Sequence, residues 1–135
     1  MTTDAEIVSF IRSFEDGSPP GSRWTHAGHL VPALRYTRRH GRDGARGLIR
    51  GGIRRYDERH ANLTGYHETI TLAWVAVIGQ FLSTRDRSRP VSALADELLS
   101  ECGDGDYLLR FYSRGRLLSD EARSRWTPPD LGGIR

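Results

Sequence analysis

Tyr66-His67-Glu68-Thr69-Ile70-Thr71-Leu72-Ala73-Trp74-Val75-Ala76-Val77-Ile78-Gly79-Gln80-Phe81-Leu82-Ser83 is the stretch on which the fold turns. Ile70, Trp74, Ile78 and Phe81 recur at three- and four-residue steps, which places them on one stripe of an α-helix. No segment of the chain shows the strict alternation of a half-buried strand. The segment is predicted to be a core helix from Tyr66 to about Ser83, entered through Thr64-Gly65.

The same spacing divides the flanks. Asp4 can cap a first helix to about Phe14, with Ile7, Phe10, Ile11 and Phe14 as its apolar stripe, and Gly17-Ser18-Pro19-Pro20-Gly21-Ser22 breaks it. Thr25 is a suitable N-cap for a helix from His26 to about His40, with Gly41 as its stop. Asp43 starts a further helix through Ile49, Ile53 and Tyr56, ending near Asn62. Gly51 and Gly52 either weaken it by roughly 1 kcal/mol each or permit a close neighbour. Pro90 suits the first turn of a helix through Leu94, Leu98 and Leu99, closed by Gly103. Short helices over Asp106 to Tyr112 and Asp120 to Trp126 precede an extended Thr127-Pro128-Pro129-Asp130 tail. The expected fold is all-α: a single-domain helical bundle over residues 1–135, with about five main helices and short C-terminal ones.

At 135 residues, with 37% hydrophobic and 27% charged residues, the chain can bury a real core without disulfides. Net charge is +3 and all 20 basic residues are arginine, which reads as compositional bias toward G- and C-rich codons. Arg38, Arg39, Arg54, Arg85 and Arg87 look scattered and interleaved with acids, so nucleic acid is not expected as a partner. Cys102 is the only cysteine, which excludes an intrachain disulfide and suits a reducing compartment; it is expected to be inert. The acidic Met1–Glu6 start lacks the features of a signal peptide, and no run approaches the ~18 apolar residues of a membrane span. The expected setting is cytoplasmic, with no membrane partner.

Two histidine segments carry the candidate chemistry. In Trp24-Thr25-His26-Ala27-Gly28-His29-Leu30, His26 and His29 share a helix face with Leu30, Ala33 and Leu34. In Gly65-Tyr66-His67-Glu68-Thr69, His67 shares a face with Ile70, Thr71 and Trp74. If the second and fourth helices run parallel, the three imidazoles meet at one end of the bundle. Such a set, with Glu68 as fourth ligand, base or ligand-orienting partner, suits a divalent transition metal: Fe, Zn, Cu or Ni. Without metal, His67 and Glu68 form a general acid–base pair. The plain alternative is that each histidine is a hydrogen-bonded core residue. Tyr66 and Trp74 adjoin the histidines and can exclude water, and Arg116 is a candidate for a substrate carboxylate or phosphate. Glu68, Tyr66 and Arg116 are the expected catalytic residues. His40 and His60 read as surface residues.

The chain resembles a group of small uncharacterised bacterial helical proteins. The matching segments are Trp24–Leu30, Gly65–Thr71, Phe111-Tyr112-Ser113, Leu117-Leu118-Ser119 and Ala122 through Leu131. The resemblance implies kinship and a matched set of positions, with no reaction attached. Independently of the resemblance, Pro129-Asp130-Leu131 is expected to fold back over the bundle, with Arg123 and Asp130 paired. The functional expectation is a small metal-dependent enzyme acting on a small organic metabolite, in a tailoring or catabolic role. The alternatives are a metal-free His/Glu acid–base enzyme and a non-catalytic binding module, as a homodimer burying its aromatic faces.

Overall fold

Ile7, Phe10, Ile11 and Phe14 are the buried stripe of α1 (Asp4–Asp16), at the spacing read from the sequence. The computed structural model describes residues 3–16, 26–59 and 66–134, with the backbone alone for 26–28. The expected Thr25 cap, the Gly17–Ser22 break, Trp24, His60 and the helix end near Asn62 lie outside the described residues. After α1 come α2 (His26–Arg59), α3 (Glu68–Ser83), α4 (Val91–Cys102), a 3-10 turn (Tyr107–Arg110), α5 (Arg114–Leu117) and α6 (Asp120–Ser124). The protein is all-α, with no strand among the described residues.

Gly41 divides α2 into two arms, 26–40 and 42–59. Its φ of 75° and ψ of 178° are open to glycine and strained for other residues, so the helix breaks there. The Phe14 ring occupies the space where a Cβ of Gly52 would stand, so this glycine lets α1 press against the second arm. Close approach, not helix weakening, is therefore its role.

Side-chain pairings fix the helix directions. Arg42 lies against Gly79 and Arg50 reaches Glu68, so the second arm of α2 runs antiparallel to α3. Arg38 and Arg87 exchange bonds between the end of the first arm and the turn after α3: Arg38 Nη1 donates to the Arg89 carbonyl at 2.9 Å, and Arg87 Nη2 to the Arg38 carbonyl at 3.1 Å. The first arm therefore runs in the direction of α3. Leu30, Val31, Ala33 and Leu34 of that arm meet Val75, Ile78 and Leu82 of α3 and Leu94 and Leu98 of α4 in one core. No described helix is long and apolar enough to cross a membrane.

The C-terminal third departs most from the sequence reading. The turn after α4 is a single 3-10 turn in place of a helix to Tyr112, and α5 was not anticipated. Arg125 is extended (φ −152°, ψ 160°), so α6 stops at Ser124 and the tail begins before Trp126. The tail then folds back along the 3-10 turn, with the Leu131 N–H donating to the Phe111 carbonyl at 2.9 Å.

Candidate functional site

His67 sits one residue before α3, in extended conformation (φ −135°, ψ 111°), and caps that helix. Its Nδ1 accepts the Ile70 N–H at 3.1 Å, so the lone pair of that nitrogen is occupied. Nε2 then carries the proton and donates it to the Leu117 carbonyl at 2.8 Å. The residue is 8% exposed. Burial pushes its pKa below the ordinary value, aided by the nearby Arg123 charge and opposed by the Leu117 carbonyl. In this arrangement the imidazole is neutral and neither nitrogen is left for a metal or for proton transfer. An imidazole at the mouth of a helix meets unpaired N–H groups before it meets any ligand, and here they claim it.

Glu68 is held on both oxygens. Arg50 Nε donates to Oε1 at 3.1 Å and Nη2 to Oε2 at 2.7 Å, a two-pronged pair, and the Tyr66 hydroxyl also donates to Oε1. Burial alone would raise the Glu68 pKa, but the Tyr66 and Arg50 hydrogen bonds and the Arg50 and Arg54 charges outweigh it and hold it low. Glu68 is therefore an ionised, fully engaged carboxylate and a weak base. Tyr66 is the reverse case: burial and the Glu68 contact raise its pKa, and the Arg54 guanidinium lies 4.9 Å from its ring centroid. The cluster ties the second arm of α2 to the start of α3.

Arg116 serves the tail. Its Nε donates to the Pro128 carbonyl at 2.7 Å. Around it the C-terminal segments interlock. The Tyr112 hydroxyl, fully buried, donates to the Thr127 carbonyl at 2.7 Å. Thr69 Oγ1 donates to the Arg125 carbonyl at 2.8 Å and accepts the Thr127 N–H at 3.1 Å. Asp130 accepts from the Ser113 N–H at 2.8 Å and its hydroxyl at 2.6 Å, while Arg123 reaches the Tyr66 carbonyl at 3.2 Å. Asp130 thus fastens the fold-back through Ser113, in place of the expected Arg123 partner. His67, Thr69, Tyr112 and Arg116 form one seam that locks the tail to the head of α3.

The first arm of α2 begins at the end of the bundle where α3 begins, so parallel helices place the His26-x-x-His29 turn toward the His67 end. His29 is half-buried, and the side chain of His26 lies outside the described residues. Among the described residues no group of three or more His, Cys, Asp or Glu side chains is placed to hold a metal ion. His40 is exposed, as expected.

A cavity of about 580 Å³ opens on another face, between the end of α3, the end of α4 and the 3-10 turn. Val77, Phe81, Tyr107 and Phe111 supply apolar wall, with Arg85, Glu101 and Arg110 around them. Tyr107 stacks on Trp74 at 5.7 Å and meets the edge of Phe111 at 5.9 Å, which fixes that wall. Arg85 pairs with Glu97 at 3.0 Å and with Glu101. Arg110 has no ion pair among the described residues and lies 4.7 Å from the Tyr107 ring centroid. Cys102 also lines the cavity; the residue is 5% exposed, and burial raises its thiol pKa, so it stays protonated and unreactive. One faint signal for this cavity lies in the chain itself: aromatic Tyr107 and Phe111 flanking Arg110 in a segment too short for a core helix.

Comparison with protein-family models, curated proteins and solved structures finds no match to this chain.

Proposed function

We propose that this chain is a helical binding domain for a small organic acid, received in the groove between α3, α4 and the 3-10 turn. One observation carries the proposal: at the edge of an aromatic-walled groove lies a guanidinium, Arg110, that no carboxylate pairs with among the described residues. A groove of this volume suits a small ligand, with apolar walls for its body and a charge for its orientation. The Arg110 fork matches a carboxylate, and Val77 and Phe111 offer apolar surface to a hydrocarbon body, while the Phe81 and Tyr107 rings already carry Arg85 and Arg110. The acid–base pair of the metal-free alternative, His67 and Glu68, supports the same conclusion from the other side. Their hydrogen-bonding capacity is spent on the Ile70 N–H, the Leu117 carbonyl, Arg50 and Tyr66.

Titration with phenylacetate and with its neutral counterpart, phenylacetamide, followed by protein NMR, tests this. The carboxylate is expected to bind saturably, to shift groove signals and to bind about tenfold more tightly than the amide. Arg110→Gln should remove that preference and Phe111→Ala should weaken both. Equal weak effects of both compounds, unaltered by either variant, would reject the groove.

A metal-dependent enzyme remains the second reading, confined to His26 and His29. It is favoured by the half-buried position of His29 at the end of the bundle where α3 starts. A divalent ion held there would take its other ligands from outside His67. Metal analysis of tag-free protein decides it: a full equivalent that His26→Ala abolishes supports it, and traces that added metal does not raise exclude it.

A further inference from the structure

Arg35, Arg38, Arg39 and Arg87 line a second cavity, of about 400 Å³. In sequence they look dispersed. In the fold, Arg35, Arg38 and Arg39 fall at i, i+3 and i+4 on the first arm of α2, which is one helix face. Arg87 comes to them from the turn after α3. We propose that this cavity binds a small anion bearing more than one phosphoryl group, of the diphosphate class. This inference concerns a site separate from the organic-acid groove.

Two of the four guanidiniums are pinned by backbone. Arg87 Nη2 donates to the Arg38 carbonyl at 3.1 Å, where the helix arm ends, and Arg38 Nη1 donates to the Arg89 carbonyl at 2.9 Å. These bonds hold like charges together in place of letting them splay into solvent. None of the four forms an ion pair with a described acidic side chain.

The neighbouring acids are committed elsewhere. Asp4 feels the Arg38 and Arg35 charges, but its carboxylate accepts the Ser92 N–H at 2.8 Å. Glu15 accepts the Tyr36 hydroxyl at 3.0 Å, and Glu97 takes Arg89 at 2.7 Å. Four positive charges thus converge without a direct ion pair to a described acid; Asp4 acts on Arg35 and Arg38 only at longer range, and Glu15 lines the adjoining depression with Arg35 and Arg39. Guanidinium forks match tetrahedral oxyanions, and several forks around one cavity favour an anion of high charge over a monoanion. A nucleic-acid duplex calls for a basic stripe along the surface, whereas these residues gather around a single open depression.

Calorimetric titration of the full chain with sodium pyrophosphate, in about 0.15 M chloride, tests the proposal. Saturable one-to-one binding is expected, with inorganic phosphate about tenfold weaker. Arg35→Gln and Arg39→Gln, neither of which holds a backbone carbonyl among the described residues, should each weaken pyrophosphate about tenfold without altering the circular dichroism spectrum. Phenylacetate binding should be unaffected by both variants. Absence of pyrophosphate binding would overturn the proposal, as would binding indifferent to both variants. Tighter binding of a duplex oligonucleotide than of pyrophosphate, with a steep salt dependence, would reassign the cluster to a nucleic-acid backbone and equally overturn it.

Discussion

Replacing His67 separates an architectural histidine from a ligand. In His67→Ala the Ile70 N–H loses its cap, which costs about 1 kcal/mol. The Leu117 carbonyl is also left buried without its donor, a further penalty of about 1–3 kcal/mol. The expected total is about 2–4 kcal/mol, or a drop in Tm on the order of 10 °C for a domain of this size. In His67→Asn the side-chain oxygen restores the cap, but the shorter chain does not reach Leu117, so the loss should be about 1–3 kcal/mol. Urea unfolding followed by circular dichroism reads the series, with and without a chelator. The expected order of stability is wild type, Asn, Ala, with the chelator without effect on any of them. If both variants unfold with the wild type, or if the chelator alone lowers the wild type to the level of His67→Ala, the hydrogen-bonding assignment is refuted.

Stability should also depend on pH through this ring. The folded pKa lies below the ordinary 6.5, so the native state binds fewer protons than the unfolded chain. Stability from His67 is complete above that ordinary value and declines as pH falls through it toward the folded value; His67→Asn should flatten the decline between about pH 7 and 5. Tyr112→Phe removes the donor to the buried Thr127 carbonyl and should cost about 1–3 kcal/mol in urea unfolding. Gly52→Ala drives a methyl into the Phe14 ring and should destabilise by about 1–3 kcal/mol, whereas Gly47→Ala, with nothing within 4 Å, should stabilise by up to about 1 kcal/mol. Thr37 Oγ1 is buried without a partner among the described residues, so Thr37→Val should raise the urea midpoint by the equivalent of about 1 kcal/mol.

Much of the fold was legible because its signals are local. The stripe of α1, the Gly41 break and the Gly103 end of α4 depend on residues a few positions apart. The seam was not legible. The bond from His67 to Leu117 joins residues 50 positions apart, and that from Thr69 to Arg125 joins residues 56 apart. Periodicity contains no term for such pairs. The histidine segments pointed correctly to an inward position for His67, but an inward histidine serves a cap as readily as a metal. Arg35, Arg38, Arg39 and Arg87 illustrate the opposite failure: their meeting depends on the parallel run of the first α2 arm and α3, which no local pattern reports.

The tautomer of His67 is the most direct point of decision. Long-range ¹H–¹⁵N correlation spectra of the uniformly labelled protein near neutral pH should show a neutral ring with its proton on Nε2 and an accepting Nδ1, unmoved when Zn(II) or Ni(II) is added. A ring signal that shifts or broadens with one equivalent of metal, or a proton found on Nδ1, would contradict the architectural role of this histidine.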